Sequence, residues 1–366
     1  VIMHMQTKSL LVNILIFTCS FLFFSSTQAQ QQLADPLYFD ETVPVSERVE
    51  DLLSRMTLEE KVGQMVQYNG TWDVTGPAPQ NGNSQEKYER IKAGLVGSML
   101  NVVSAEATRE AQKLAVENSR LGIPLLFGYD VIHGYRTMMP IPLGETASWD
   151  PEAWERSARI AATEAAAAGV HWTFAPMIDV TRDPRWGRMM ESPGEDPYLS
   201  SLASKARIRG FQGDDLSDTA TIAATAKHFA AYGFIEAGKE YNTVDMSMFR
   251  LYNVVLPPFK AAVEADVATF MNAFNLINGI PATASHLLQR HILKDDWQFD
   301  GFVVSDWGSI EELVDHGYAK NIKDAAHKAV EAGSDMDMES YAYGNALPEL
   351  VNEGIVDEGL IDDAAG

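Results

Sequence analysis

Five apolar, strand-like runs of the sequence end on side chains that can carry chemistry. The residues at these ends are Asp130 after "PLLFGY", Asp179 after "WTFAPMI", Lys227 and His228 after "IAATA", Met271 and Asn272 after "VATF", and Asp306 after "FVVS". Carboxylates can attack an electrophile or accept hydrogen bonds, and an ammonium group can donate them. Without a cofactor motif beside them, these groups suit a pocket for a neutral polyol better than one for a phosphate ester or a hydride donor.

The stretch "GFVVSDWGS", residues 301–309, shows the pattern most clearly. Asp306 has two interpretations, because an aspartate after a strand is either the cap of a following helix or a residue of a binding site. Trp307 likewise is either part of the core or a wall for the apolar face of a sugar, with its indole N–H free to donate.

Lys227 and His228 are expensive to bury unless they meet anions or a polar ligand. Adjacent residues of a regular strand point to opposite faces. We therefore predict that the backbone leaves regular strand geometry at Lys227, so that both side chains reach one ligand. The connection Thr181–Tyr198 holds three arginines and four acids. We expect one of these arginines to contact the ligand while the others brace the loop.

The elements that carry these residues are short β-rich runs, which alternate with longer helical stretches along the chain. At least six such units can be counted, which indicates a mainly parallel sheet. The reactive residues fall at the carboxyl ends of the strands, and in a (β/α)8 barrel those ends meet at one mouth. We therefore predict a (β/α)8 barrel. No G-x-G-x-x-G turn or P-loop occurs, so a nucleotide-binding Rossmann domain is disfavoured.

Composition limits the classes of function. The chain has 366 residues with 28 basic and 51 acidic side chains, a net charge of −23, which argues against nucleic acid as a partner. An apolar run at 10–24 is predicted to belong to a signal peptide over residues 1–29, followed by a mature domain over 30–366. The single cysteine, Cys19, lies in that signal segment. No H-x-H or H-E-x-x-H pair suggests a metal site, and no cofactor or membrane association after cleavage is expected.

Six blocks of the chain resemble glycoside hydrolase family 3, specifically its secreted bacterial β-glucosidases. They are "GYDVIHGYRT", "APMIDVTRDPRWGRMMESPGEDPYL", "AKHFAAYG", "KEYNTVDMS", "MNAFNLINGIPAT" and "GFVVSDWGSIEEL", in the family's order and spacing. The resemblance implies a periplasmic, retaining enzyme whose barrel holds the sugar and whose nucleophile is Asp306.

The resemblance also assigns sugar-binding roles. Asp130 would accept hydrogen bonds from hydroxyl groups, while Arg188, Lys227 and His228 would donate them, and Met271 would line the same pocket. The cations near Asp306 would keep its carboxylate ionised.

The general acid/base has no assigned residue. In many members of the family it is a carboxylate on a second α/β domain after the barrel, and the sequence ends at "LIDDAAG", so we expect this acid beyond residue 366. A smaller branch uses a histidine in the loop after "KHF", which is lacking here. Glu236 and Glu240 lie in that loop, and neither is assigned the role. Since a general acid contributes about 10²–10⁴-fold, we expect the chain alone to cleave unactivated glucosides poorly.

Two other functions remain open on the residues alone. Lys227 at a strand end would also suit a Schiff-base aldolase. A sugar-binding barrel without catalytic activity is the other alternative, and the substitution Asp306→Asn would separate it from an enzyme.

Overall fold

In the computed structural model, residues 36–70 and 82–366 are described, and the predicted signal peptide lies outside them. Two compact units divide the chain at Met56. The first contains a 3₁₀ turn, Leu37–Phe39, and the helix Val45–Arg55. Pro44 directly precedes this helix, where the lack of an N–H on proline costs no intrahelical hydrogen bond. None of the described helices is long and apolar enough to cross a bilayer.

The second unit, Thr57–Ala365, contains the barrel. Its parallel strands are β1 Val66–Asn69, β2 Ser98–Leu100, β3 Leu126–Tyr129, β4 Trp172–Thr173, β5 Thr225–Phe229, β6 Thr269–Asn272, β7 Phe302–Val304 and β8 Asp337–Met338. Ladders join β8, β1, β2, β3 and β4 in one sheet and β5, β6 and β7 in another. The parallel bridges Trp172–Ala223 and Val304–Met336 connect the two sheets at both edges. The strands therefore close into the predicted (β/α)8 barrel.

Helices and short turns fill the connections between strands. The α-helices of this unit are Leu58–Gln64, Gly82–Lys92, Ala105–Asn118, Pro142–Thr146, Pro151–Ala167, Pro197–Gln212, Met248–Arg250, Pro257–Val263, Glu312–Asp315, Ile322–Ala332, Ala342–Asn352 and Glu358–Ala365. Segments Leu251–Val255 and Leu287–Asp296 are π-helical. Leu276–Ile277 and Ile280–Pro281 form a small antiparallel hairpin.

Local sequence explains several helix boundaries. Thr57 and Glu60 form a capping box, in which each side chain accepts a hydrogen bond from the other residue's backbone N–H. Pro151 opens the alanine-rich helix behind the cap Asp150. Gly169 ends that region with a φ of 85°, a left-handed value that glycine adopts without steric cost.

The barrel interior is filled by large apolar side chains from several strands. They are Leu100, Trp172, Phe174, Met271, Val304, Met336 and Met338. The Trp172 indole N–H donates to Thr225 Oγ1 at 2.8 Å and lies 2.9 Å from Thr269 Oγ1, so its polar atom is satisfied inside the barrel. This packed interior fixes the strand ends that carry the site.

A buried ion pair anchors the connection after β3. The guanidinium of Arg207 donates to the Glu145 carboxylate and to the carbonyl of Ile132, and both charged side chains are less than a tenth exposed. Ile132 lies two residues after Asp130. The pair therefore ties the segment that carries Asp130 to the helix Pro197–Gln212.

Replacing Glu145 with glutamine is expected to destabilise the protein by about 3–5 kcal/mol, because the buried guanidinium of Arg207 then lacks a counter-charge. Urea unfolding followed by tryptophan fluorescence measures the loss. The exposed pair Lys205–Glu264, 2.7 Å apart, offers a matched control, and Glu264→Gln should cost less than about 1 kcal/mol. Equal losses in the two variants would contradict a structural role for the buried pair.

Candidate active site

Asp306 lies two residues beyond β7, at the barrel mouth. Its Oδ1 accepts the backbone N–H of Trp307 at 2.7 Å, while Oδ2 is buried with no hydrogen-bond partner among the described residues. The helix Glu312–Asp315 begins further on and is not capped by this side chain. The interpretation of Asp306 as a helix cap is therefore wrong. An unpartnered carboxylate oxygen at a barrel mouth is available to react with or bind a ligand.

Lys227 and His228 occupy a register shift in β5. Lys227 pairs with Met271 of β6, but the next paired residue is Phe229, so the ladder is irregular at His228 as the sequence predicted. The Lys227 ammonium lies 2.9 Å from Asp130 Oδ1. His228 Nε2 lies 3.5 Å from Asp306 Oδ2. Both side chains thus face the mouth.

Arg188 is the arginine of the Thr181–Tyr198 connection that comes near Asp306. Glu191 holds it in two places, through contacts of 2.7 Å to Nε and 3.0 Å to a terminal nitrogen. Its guanidinium acts electrostatically on Asp306 and lies 5.8 Å from the ring centre of Tyr232. Arg185 instead pairs with Asp183 at the surface. One arginine therefore faces the site, and Arg185 braces the loop.

Glu240 supports this corner and is fully engaged. It accepts the Trp186 indole N–H at 2.6 Å and the hydroxyl hydrogen of Tyr232. The Tyr232 ring meets His228 edge-on, with 5.3 Å between ring centres. Because both Glu240 oxygens are occupied, this residue positions its aromatic neighbours instead of offering a free acid.

Burial and nearby charges act in opposite directions on Asp306. Burial raises the pKa of Asp306 to about 6, and the nearby Lys227 and Arg188 lower it only partly. Desolvation of the carboxylate therefore outweighs the cations. With this pKa Asp306 is still mostly ionised at pH 7.

We expect the reaction of Asp306 with an activated substrate to speed up as pH rises through about 6 and to level off above pH 7, because only the carboxylate attacks. Rates of mechanism-based inactivation measured between pH 4.5 and 8.5 test this. A midpoint near 4 would show that the carboxyl group is not desolvated in the active protein.

Two further residues named from sequence occupy different surroundings. Trp307 is 44% exposed, which suits the wall of an open pocket and not a core position. Met271 is 2% exposed within the barrel-interior cluster, beside Val304 in the β6–β7 ladder. Met271 therefore packs inside the barrel, and its role in lining the sugar pocket stays a prediction.

Two carboxyl groups at this mouth were missed as site residues. The sequence marks Asp179 only as a strand-end residue, yet its Oδ2 lies 2.9 Å from His228 Nδ1. The second group is Glu312. Burial and the nearby Asp306 raise the pKa of Glu312 to about 7, and its Oε2 is buried without a partner in the described part of the chain. The clustering of perturbed carboxyl groups is typical of active sites, but no local sequence signal marks Glu312.

Comparison with known proteins identifies relatives of this chain. The family model "Glycosyl hydrolase family 3 N terminal domain" matches residues 57–366. A periplasmic β-glucosidase of Salmonella typhimurium is 42% identical over 93% of this chain and 44% of its own length. A putative β-xylosidase of Formosa agariphila is 36% identical over 97% of this chain and 48% of its own.

Solved structures agree with these relatives. A β-glucosidase from Listeria innocua in complex with isofagomine superposes with a TM-score of 0.81 and 44% identity, over 87% of this chain and 44% of the other. The same enzyme with glucose gives a TM-score of 0.82 at 43% identity, over 87% of this chain and 45% of that one. The chain thus spans less than half the length of these relatives.

Proposed function

Since the chain belongs to glycosyl hydrolase family 3, we propose that it acts in the retaining hydrolysis of β-glucosides, with Asp306 as the nucleophile. The observation that carries this proposal is the environment of Asp306. Its Oδ2 has no hydrogen-bond partner among the described residues and lies 3.5 Å from His228 Nε2, beside the Lys227–Asp130 ion pair at the ends of other barrel strands.

The proposed reaction has two steps. A carboxylate oxygen of Asp306 forms a bond to the anomeric carbon as the bond to the leaving-group oxygen breaks, giving a glycosyl ester and an anionic leaving group. The oxygen of water then bonds to the same carbon as the ester C–O bond breaks, which releases the sugar and returns the carboxylate, and the proton that water loses balances the charge of the leaving group.

The other groups of the cluster orient the sugar for this attack. Asp130 is half-exposed and accepts hydrogen bonds from hydroxyl groups, while Lys227 and Arg188 donate them. Such bonds hold the ring so that the anomeric carbon faces Asp306, which lowers the barrier for the first step.

Glucose is the proposed sugar, because the compared structures include the Listeria innocua β-glucosidase with glucose and a mutant of the same enzyme with laminaribiose. Xylose is the second candidate, since putative and named β-xylosidases are among the relatives. The periplasm is the proposed location, supported by the periplasmic relative.

The aldolase alternative has less support. Lys227 is held in an ion pair with Asp130, whereas a Schiff base requires the neutral amine. The family of the chain also favours a glycosidase. Trapping of a carbonyl substrate on Lys227 with borohydride would reverse this preference.

Labelling with 2,4-dinitrophenyl 2-deoxy-2-fluoro-β-D-glucoside tests the proposal, because its leaving group departs without a general acid. We expect one added fluoroglucosyl unit per chain and, after proteolysis, its location on the peptide that contains Asp306. A label on another residue, or no label at millimolar reagent, would contradict the proposed function. Because no residue is assigned as general acid, slow turnover of cellobiose by the chain alone remains a prediction.

A further inference from the structure

Asp179 and His228 form a fully buried pair beside the nucleophile. Oδ2 of Asp179 lies 3.0 Å from the backbone nitrogen of His228 and 2.9 Å from its Nδ1. Both residues are at most 2% exposed. We propose that Asp179 is a positioning residue that holds His228 as the tautomer with its proton on Nδ1, so that Nε2 accepts a hydrogen bond from a sugar hydroxyl. The hydrogen bond from a sugar hydroxyl to Nε2 rests on the proposed function, whereas the assignment of the tautomer does not.

The two contacts at one oxygen determine which atom carries the proton. A backbone N–H can only donate, so Oδ2 must be an acceptor. If Asp179 instead donated a proton from Oδ2 to Nδ1, the hydroxyl oxygen would have to accept the backbone N–H. A hydroxyl oxygen is a weaker acceptor than an ionised carboxylate oxygen, so the backbone N–H at 3.0 Å favours a carboxylate at Oδ2. Because a carboxylate cannot donate, the proton of the 2.9 Å contact lies on Nδ1.

The charge of the ring follows from its surroundings. Burial lowers the pKa of His228 well below 6.5, and the positive charges of Arg188 and Lys227 lower it further. Burial also raises the pKa of Asp179 to about 7. At pH 8 the pair therefore consists of a carboxylate and a neutral imidazole, and Nε2 carries a lone pair.

Nε2 then faces a second acceptor. It lies 3.5 Å from Oδ2 of Asp306, and neither atom has a hydrogen-bond partner within the described residues. Two buried acceptors at this distance need a donor from outside the protein. A hydroxyl group next to the anomeric carbon supplies one. His228 thus accepts a hydrogen bond, whereas the family resemblance led us to expect a donor.

The tautomer is measured directly by long-range ¹H–¹⁵N correlation spectra of the chain labelled with ¹⁵N-histidine at pH 8. The variant His228→Gln identifies the His228 signals by their loss. We expect Nδ1 to show the shift of a protonated ring nitrogen and Nε2 that of an unprotonated one. A proton on Nε2 alone, or on both nitrogens, would overturn the proposal.

Two substitutions of Asp179 distinguish a role in positioning His228 from a role in packing alone. Asp179→Asn keeps a carbonyl oxygen that can accept both N–H groups, so the tautomer should persist. Release of dinitrophenolate from 2,4-dinitrophenyl β-D-glucoside, which keeps the hydroxyl next to the anomeric carbon, should then slow by less than about 10-fold. Asp179→Leu has similar volume without an acceptor. We expect it to lose the fixed tautomer and to slow this release at least about 100-fold, as the wrong histidine tautomer does in other enzymes.

Circular dichroism verifies that each variant folds. If Asp179→Leu does not fold, the wild-type tautomer and the Asp179→Asn variant still decide the question. Dinitrophenolate release by a folded Asp179→Leu at the wild-type rate would refute the positioning role.

Titration with D-glucose tests whether Nε2 accepts a hydrogen bond from a sugar hydroxyl. Binding should move the Nε2 signal toward that of a hydrogen-bonded acceptor while Nδ1 stays protonated. Glucose that binds, as judged by tryptophan fluorescence, without moving Nε2 would overturn the acceptor role. If glucose does not bind and the fluoroglucoside does not label the chain, both the proposed function and the hydrogen bond from the sugar to Nε2 are overturned. The spectra of the free protein would still decide the tautomer of His228.

Discussion

Asp306→Asn is expected to reduce reaction with 2,4-dinitrophenyl β-D-glucoside at least about 10³-fold, because an amide oxygen is a far weaker nucleophile than a carboxylate. The substitution keeps the size of the side chain and its acceptor for the Trp307 N–H. Release of dinitrophenolate measures the loss, and glucose binding should survive within a few-fold. A folded variant with undiminished activity would show that another group attacks the sugar.

Asp215→Asn provides the matched control. Asp215 is an exposed aspartate that accepts the backbone N–H of Ser217. It belongs to the loop that leads into β5, which lies at the amino ends of the strands, whereas the site lies at their carboxyl ends. Its substitution should leave dinitrophenolate release unchanged. A sugar-binding protein without catalytic activity would show equally low release from the wild type, the control and Asp306→Asn.

The same Asp306→Asn substitution should stabilise the fold at alkaline pH. The pKa of Asp306 is raised from 3.8 to about 6 in the folded state, so between these values folding retains a proton that the unfolded chain has released. Stability therefore falls as pH rises through this window and stays lower above it. Asparagine does not ionise, and the variant should exceed the wild type by up to about 3 kcal/mol at pH 8. Urea unfolding at pH 4 and pH 8 should show the difference only at pH 8.

Lys227→Gln is expected to slow labelling of Asp306 by about 10–100-fold, because it removes a charge-assisted hydrogen bond to the sugar. The ammonium is also the strongest of the positive influences on the Asp306 carboxylate. Its loss should raise the pKa of Asp306 above 6 and move the pH profile of labelling to higher pH. Inactivation rates across the pH range measure both effects.

Lys205→Gln is the control for loss of a lysine, since Lys205 pairs with Glu264 on the outer helices. It should leave both the labelling rate and the pH profile unchanged. If Lys227→Gln lowered the rate without moving the pH midpoint, the proposed electrostatic link between Lys227 and Asp306 would be wrong.

Much of the fold follows from the sequence because periodic elements carry strong local signals. The alternation of apolar runs and longer helical stretches indicates the barrel that the structure shows. Boundaries were less predictable. The run "VHWTFAPMID" contains only a two-residue strand, Trp172–Thr173, and the next bridge is that from Met177 to Lys227, because Pro176 has no N–H to donate to a ladder.

The site was predictable only in part. Strand-end position was enough to select Asp306, Lys227 and His228, and the structure brings them together. The same criterion could not separate Asp179 from an ordinary buried aspartate, since its role depends on a contact to a residue 49 positions away. Glu312 belongs to a helix after β7, where an acid in the first turn is equally expected for helix stability. Its closeness to Asp306 is a property of the folded chain.

A crystal structure of the chain after reaction with the fluoroglucoside tests the central claim most directly, since the claim is that side chains from several strand ends meet around one sugar. We predict a covalent bond from an Asp306 carboxylate oxygen to the anomeric carbon, with Asp130 and Lys227 in hydrogen-bond contact with the ring hydroxyls and His228 beside the carbon that carries fluorine. A sugar bonded to another residue, or one bonded to Asp306 that points away from these three side chains, would contradict it.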